Sequence, residues 1–253
     1  KFFADAKLPR SEYLISELQV ANPANLELLI LHQVRRRDGD TSYYYTETVK
    51  KKRVFLHYTV GYLPGDVRTL TMPRNKVSVA FVVARSGKIV QLFPSYLWSY
   101  HLGAPAIGEN PHMSSTSIAI EISNIGPLIK KGNALFTIYK NKVGEYTDEY
   151  CKISEKSAYT YLDSGYRGYQ YFATFTQAQY EATAQLVRFL TAKYDIPLNF
   201  LSENKRYDVL SFSEARGFAG VLSHVNVRTD KNDIGPAFDW TGLIASCKKF
   251  DDS

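Results

Sequence analysis

The sequence has 253 residues, of which 45% are hydrophobic and 22% are charged, a composition that excludes a disordered chain. Lys and Arg outnumber Asp and Glu by 31 to 25, and the formal net charge of +6 favours polyanionic surroundings. No apolar run approaches the roughly 20 residues that span a bilayer, so we expect no transmembrane segment. Without an Arg-rich helix or an aromatic RNA-binding signature, we also expect no nucleic-acid partner.

The first 53 residues are short for an independent core, and we interpret them as an N-terminal extension packed on a main domain of residues 54–253. Within this extension we predict a helix over residues 11–20. The apolar segment that follows, residues 26–34, suits either a strand or a short helix. Because the chain opens at Lys1 without an initiator Met or a signal-peptide pattern, we expect a mature or trimmed form.

The main domain alternates β-rich segments with helical ones. A capping box of Thr176 and Gln179 marks the start of its clearest helix. The predicted elements are a strand over residues 54–57, a hairpin of residues 77–84 and 88–93, a strand over residues 117–123, a helix over residues 176–194, and a short strand over residues 221–224.

A tract rich in Tyr, at about residues 130–174, interrupts this pattern. Its dense aromatic side chains suit either a folded insertion or a surface that stacks on sugar rings, and structural packing is the favoured interpretation. The two cysteines, Cys151 and Cys247, lie outside any metal-ligand spacing. They are compatible with one long-range disulfide or with two free thiols, and the sequence leaves both open.

Two of the five histidines, His57 and His224, terminate apolar strands, and Asp233 follows nine residues after the second of them. Strand ends hold functional side chains at a rigid edge of a sheet. Two imidazoles and one carboxylate are the protein ligands expected of a catalytic zinc, which keeps its fourth position open for water. These three residues are therefore candidate metal ligands.

Two further residues have the chemistry that zinc hydrolysis requires. Glu121 is a carboxylate within an otherwise apolar strand, where it suits general acid/base work. Period-two alternation equally permits Glu121 to face solvent, and its neighbourhood alone leaves the two interpretations at even odds. Lys231 lies two residues before Asp233, where its ammonium is suited to stabilising an oxyanion, although alone it is an ordinary surface lysine.

Several short segments, in this order, resemble the zinc amidases that include phage amidase lysozymes, muropeptide amidases and peptidoglycan recognition proteins. The similar segments are residues 55–59, residues 77–78 through 86–91, residues 100–103, residues 117–121, residues 175–180, residues 223–224 and residues 231–236. The resemblance implies a central mixed β-sheet flanked by helices, an α/β fold with the metal at one edge of a cleft.

The same resemblance assigns roles to single residues. It implies that His57, His224 and Asp233 bind one zinc ion per chain, that Glu121 and Lys231 are catalytic, and that His101 and Tyr58 contact the substrate. The implied reaction is hydrolysis of the amide between N-acetylmuramic acid and L-alanine in peptidoglycan or muropeptides. The alternative is a peptidoglycan-binding module without catalysis. We expect an exported monomer, acting in the periplasm, the cell envelope or outside the cell.

Overall fold

The computed structural model describes residues 7–23 and 28–249. The interpretation of Lys1 and the start of the predicted apolar segment, residues 26–27, lie outside these ranges. Within them, no helix is long and apolar enough to cross a membrane.

The strands of the described residues form two β-sheets. In chain order the strands are β1 (Tyr13–Ala21), β2 (Leu28–Arg36), β3 (Arg53–Tyr58), β4 (Phe81–Val83), β5 (Ile89–Gln91), β6 (Ser117–Ile122), β7 (Pro127–Lys131), β8 (Ala134–Thr137), β9 (Glu149–Lys152), β10 (Tyr159–Tyr166), β11 (Tyr169–Ala173) and β12 (Gly220–Ser223). Seven of them build a mixed central sheet in the order β1-β2-β5-β4-β6-β3-β12.

Helices cover both faces of the central sheet. They are α1 (Leu63–Leu70), α2 (Asn110–Ser115), α3 (Gln177–Tyr194), α4 (Phe212–Gly217) and α5 (Trp240–Lys248). The longest, α3, begins at the predicted capping box of Thr176 and Gln179 and packs, with α5, on the side of the sheet that holds the largest apolar cluster. Side chains from α2 and α4 join Phe55 of β3 in a smaller cluster on the opposite face. The predicted α/β fold, a central mixed sheet flanked by helices, is confirmed.

The centre of the sheet is parallel and explains the apolar runs of the sequence. Every residue of β3 is buried, because β3 lies between β6 and β12 and carries packed groups on both faces. The register pairs His57 with Glu121 of β6, while Leu56 pairs with Ser223, the residue before His224. Three candidate site residues thus reach the carboxyl edge of the sheet at the same level.

The predicted helix over residues 11–20 is wrong: this segment is strand β1. It pairs with β2 in an unbroken antiparallel register from Tyr13 to Ala21, and β2 continues into the central sheet through β5. Leu14, Ile15 and Leu18 are exposed on this edge strand. The long-range ladder satisfies the backbone hydrogen bonds here, and local apolar spacing carries no information about that partner.

The Tyr-rich tract folds into the second sheet, antiparallel throughout, in the order β10-β11-β7-β8-β9. It has its own apolar cluster, which includes Leu135, Tyr150 and Tyr159. Cys151 lies in this sheet and Cys247 lies in α5, and both are free, buried thiols. The predicted folded insertion therefore exists as a small sheet. The domain boundary at residue 54 stays a prediction.

Candidate metal centre

The three candidate ligands meet at the carboxyl edge of the central sheet. His57 is the last residue but one of the buried strand β3, and His224 begins a single 3-10 turn directly after β12. Because β3 and β12 are parallel neighbours, their last side chains lie together, and the two imidazole centroids are 4.5 Å apart. Asp233 returns to this edge on the following loop, where its backbone carbonyl accepts a hydrogen bond from Val225.

The ligand atoms converge on one point. Nδ1 of His57 and Nδ1 of His224 each lie 3.0 Å from Oδ2 of Asp233, and all three residues are buried. The three donor atoms lie within 4.8 Å of one another. Ligands placed 2.0–2.2 Å from a tetrahedral zinc are separated by roughly 3.3 Å, so the observed spacing fits that ion.

The hydrogen bonds behind the two rings decide which nitrogen carries the proton. Nε2 of His224 lies 3.0 Å from the carbonyl oxygen of Leu102, which only accepts, so Nε2 donates, and in the neutral imidazole Nδ1 then keeps a free lone pair.

A series of hydrogen bonds through Ser117 and His101 likewise decides which nitrogen of His57 carries the proton. The Ser117 hydroxyl donates to the carbonyl of Ser114 (3.2 Å) and is left to accept from Nε2 of His101 (2.7 Å). Nδ1 of His101 then accepts from Nε2 of His57, at 2.9 Å. His57 therefore also presents a lone pair at Nδ1. Two nitrogen lone pairs and a carboxylate that face each other in a buried site repel one another unless a cation lies between them. His57, His224 and Asp233 therefore fit a metal ion.

The pKa of His57 agrees with this proton placement. Burial, with the neighbouring His224, lowers the pKa of His57 to about 4, so its ring is neutral at physiological pH. Burial alone would raise the pKa of Asp233, but the two adjacent histidines, His224 more than His57, outweigh it and hold the pKa below the ordinary value. Neutral imidazole and ionised carboxylate are the forms that bind a metal.

Glu121 lies beside the cluster on β6, in register with His57. Its Oε2 atom is buried and has no hydrogen-bond partner among the described residues. Burial raises the pKa of Glu121 well above its ordinary value, and the negative charges of Asp233 and Asp66 act in the same direction. The side chain is half-buried with its Oε2 atom shielded from solvent, so Glu121 does not lie on an open face of the sheet.

Lys231 is half-buried on the loop that carries Asp233, and its charge opposes the rise in the Glu121 pKa. The loop is fixed on two sides. Arg228 donates from Nη1 to the Leu102 carbonyl (2.6 Å) and forms an ion pair with Asp230, while Arg167 of the second sheet donates to the carbonyls of Arg228 and Lys231. The Tyr-rich insertion thus braces the loop of the candidate site.

The two predicted substrate contacts, His101 and Tyr58, are both buried. His101 lies behind His57, with both ring nitrogens engaged as described above. Tyr58 packs against Phe175 and lies so close to Gly126 that a Cβ there would be 2.4 Å from its ring. Its hydroxyl is buried without a partner among the described residues. Their roles toward substrate stay predictions.

Sequence reasoning missed the residues that support the ligands: Ser117, Arg228, Arg167 and the backbone carbonyl of Leu102. A backbone carbonyl gives no signal in a sequence. Residues 100–103 did stand out, but as a segment facing substrate and not as the support behind the histidines.

A family model described as N-acetylmuramoyl-L-alanine amidase matches residues 47–236. No curated protein matches the chain at a significant level.

Among solved structures, the chain is similar to the N-acetylmuramyl-L-alanine amidase AmiD from E. coli, whose structure is a complex with anhydro-N-acetylmuramic acid-L-Ala-D-γ-Glu-L-Lys. The two are 22% identical over 79% of this chain and 59% of AmiD, with a TM-score of 0.49. AmpDh3 from Pseudomonas aeruginosa, in complex with anhydromuramic pentapeptide, is 17% identical over 79% of this chain and 61% of its own, with a TM-score of 0.47. PlyL is 16% identical over 82% of this chain and 91% of its own, with a TM-score of 0.44. The chain spans about three fifths of the length of AmiD and AmpDh3.

Proposed function

Because the chain belongs to the N-acetylmuramoyl-L-alanine amidase family, we propose that it hydrolyses the amide between N-acetylmuramic acid and L-alanine of peptidoglycan or muropeptides. One observation supports the proposal most strongly. Three potential ligand atoms, His57 Nδ1, His224 Nδ1 and Asp233 Oδ2, lie close together in a buried site that suits a cation. We propose one zinc ion per chain as that cation.

Zinc held by these ligands supplies Lewis acidity, which polarises a carbonyl and makes water more acidic. Glu121 takes a proton from the attacking water as its oxygen adds to the lactyl carbonyl carbon. The ammonium of Lys231 stabilises the negative charge that develops on the carbonyl oxygen. Glu121 then returns the proton to the alanine nitrogen as the C–N bond breaks. The products are the free muramic carboxylate and a peptide with an N-terminal amine.

The unpaired Oε2 of Glu121 supports this role. A carboxylate oxygen that is buried without a donor is free to exchange a proton with water, whereas a carboxylate held in an ion pair is committed elsewhere. Lys231 is held by its braced loop, on the segment that also supplies Asp233.

The direct test is mass spectrometry of a muramyl tripeptide incubated with the protein, before and after zinc removal by a chelator. We expect release of a tripeptide with an L-alanine N-terminus, loss of release on chelation, and restoration by added zinc. A folded, zinc-loaded protein that binds the muramyl peptide without cleaving it would move the assignment to a binding module.

We also propose that the protein is exported and acts at the cell envelope, because peptidoglycan is located there and the net charge is +6, and that it is a monomer. Cell fractionation and light scattering test these two points. Recovery of the native protein only from the cytosol would contradict the location, and a stable dimer would contradict the monomer.

A further inference from the structure

A cavity of about 410 Å³ lies directly beside Glu121. Its walls come from the loop after β3, from α1, from β6 and from the segment between β8 and β9, and they include Tyr62, Asp66 and Tyr139. The metal-binding role of the site does not use this cavity. Its volume is large enough to hold the side chain of one amino acid, and Glu121 forms part of its wall.

Asp66 is the second carboxylate of the cavity. It is buried on the first turn of α1, where its Oδ2 accepts a hydrogen bond from the Ser123 hydroxyl at 2.8 Å. Gly61 leaves just enough room for it, since a Cβ on Gly61 would lie 2.1 Å from Oδ1. The carboxylate is therefore held in one orientation between α1 and the end of β6.

This buried acid has no cationic partner in the described part of the chain. The ion pairs found there involve other acids, and the groups that influence Asp66 are its own burial and the hydroxyls of Ser123 and Thr59. Burial raises the pKa of Asp66 to about 6, so the side chain is still mostly ionised at neutral pH. A buried carboxylate without a counter-charge disfavours folding, and a cationic ligand would remove that penalty.

The Tyr-rich insertion contributes a wall of the cavity. The Tyr139 hydroxyl donates to the Val60 carbonyl at 2.5 Å, which fixes the ring across the loop that follows His57. Val60 has a φ of 55°, a rare conformation for a β-branched residue, so this loop is shaped by contacts from outside it. Tyr62 supplies a second aromatic wall, and the ring faces of tyrosines attract cations.

We propose that Asp66 binds a primary ammonium group on the peptide part of the substrate, so that this cavity makes the enzyme prefer peptides that carry a free side-chain amine. The inference rests on the proposed amidase function. Ser123, whose hydroxyl donates to Asp66, directly follows β6 and lies two residues beyond Glu121, about 7 Å along an extended chain. The ammonium bound at Asp66 therefore belongs to a group of the peptide that is near the scissile amide but is not part of it.

The test compares two muramyl tripeptides, MurNAc-L-Ala-D-γ-Glu-L-Lys and the same compound acetylated at the lysine Nε. Acetylation removes the charge and preserves the chain length. We expect the zinc-loaded protein to cleave the lysine compound with a kcat/KM about 10- to 100-fold higher, as for a lost charge-assisted hydrogen bond. Asp66→Asn should bring this ratio close to one. Asp163→Asn, which removes the same charge from an exposed position of β10, should leave the ratio as in the parent protein.

A second measurement separates this inference from the amidase assignment. Isothermal titration calorimetry with the tripeptide L-Ala-D-γ-Glu-L-Lys and its Nε-acetyl form requires no cleavage. Tighter binding of the free amine by the parent protein, lost in Asp66→Asn, supports the pocket even if neither muramyl compound is hydrolysed. Equal cleavage of the two muramyl compounds overturns the pocket and leaves the amidase function standing. If neither muramyl compound is hydrolysed, equal calorimetric affinities for the tripeptide and its Nε-acetyl form overturn the pocket as well.

Discussion

The two sides of the candidate site differ in how completely their polar groups are paired. On the side of β3 and β12, each ring nitrogen of His57 and His224 has a partner, and the outer partners end on the backbone carbonyls of Ser114 and Leu102. On the side of β6 and α1, Glu121 has an unpaired oxygen, and Asp66 has hydroxyl donors but no cationic partner among the described residues, beside an open cavity.

This difference indicates that the two sides of the candidate site have different roles. Ligands that are fixed by a second layer of hydrogen bonds keep their geometry before the metal arrives, which favours binding. Carboxylates that are buried but incompletely paired are held in a state that substrate or water completes. The paired side would hold the ion, and the unpaired side would handle protons and the peptide.

We expect the largest loss of zinc and of activity when a candidate metal ligand on the paired side is replaced. Asp233→Ala removes the carboxylate between the two imidazoles, so zinc content should fall from about one ion per chain to near zero, with activity lost by at least about 10³-fold. Elemental analysis of the purified protein measures the zinc. His112→Ala, a histidine of α2 away from the cluster, is the matched control and should retain both. Zinc retention by Asp233→Ala would contradict this ligand set.

A substitution on the unpaired side should lower activity without lowering the zinc content. Glu121→Gln removes the proton carrier but no ligand, so we expect a loss of about 10²- to 10⁴-fold in kcat with zinc content unchanged. Steady-state kinetics and elemental analysis of the same preparation test this separation. A simultaneous loss of zinc would place Glu121 among the metal-binding groups.

A smaller effect should come from the second layer. His101→Ala deletes the acceptor for Nε2 of His57, and we expect zinc affinity to weaken about 10- to 100-fold, measured by competition with a chromogenic chelator. His101→Asn, whose side-chain oxygen can stand near the position of Nδ1, should recover part of the affinity. If the two variants bind zinc as the parent does, the pairing behind His57 has no part in metal binding.

The smallest effect concerns stability at Asp66. Its folded-state pKa of about 6 lies above the ordinary 3.8, so the acid favours folding below about pH 4 and progressively disfavours it as pH rises through 6. Asp66→Asn removes this dependence. It should be more stable than the parent by about 1–2 kcal/mol at pH 7.5, with little difference at pH 4. Urea denaturation at the two pH values measures this, and a constant difference would contradict the burial of an unpaired charge.

Local sequence determined the elements whose signals are local. The apolar run of β3, the two β-rich runs of the hairpin β4 and β5, and the capping box at Thr176 each predicted the element that the structure contains. Strand ends and ligand chemistry pointed to the three candidate ligands, and the family resemblance then assigned them to one zinc ion.

Tertiary structure alone decided the rest, because it depends on partners far along the sequence. β1 is a strand since β2 pairs with it, and no local pattern identifies that partner. The register of β6, β3 and β12 brings Glu121 level with His57, although 64 positions separate them. His101 supports a ligand from behind, and Asp66 shares a cavity with Glu121, through side-chain contacts that arise only when the sheet is assembled.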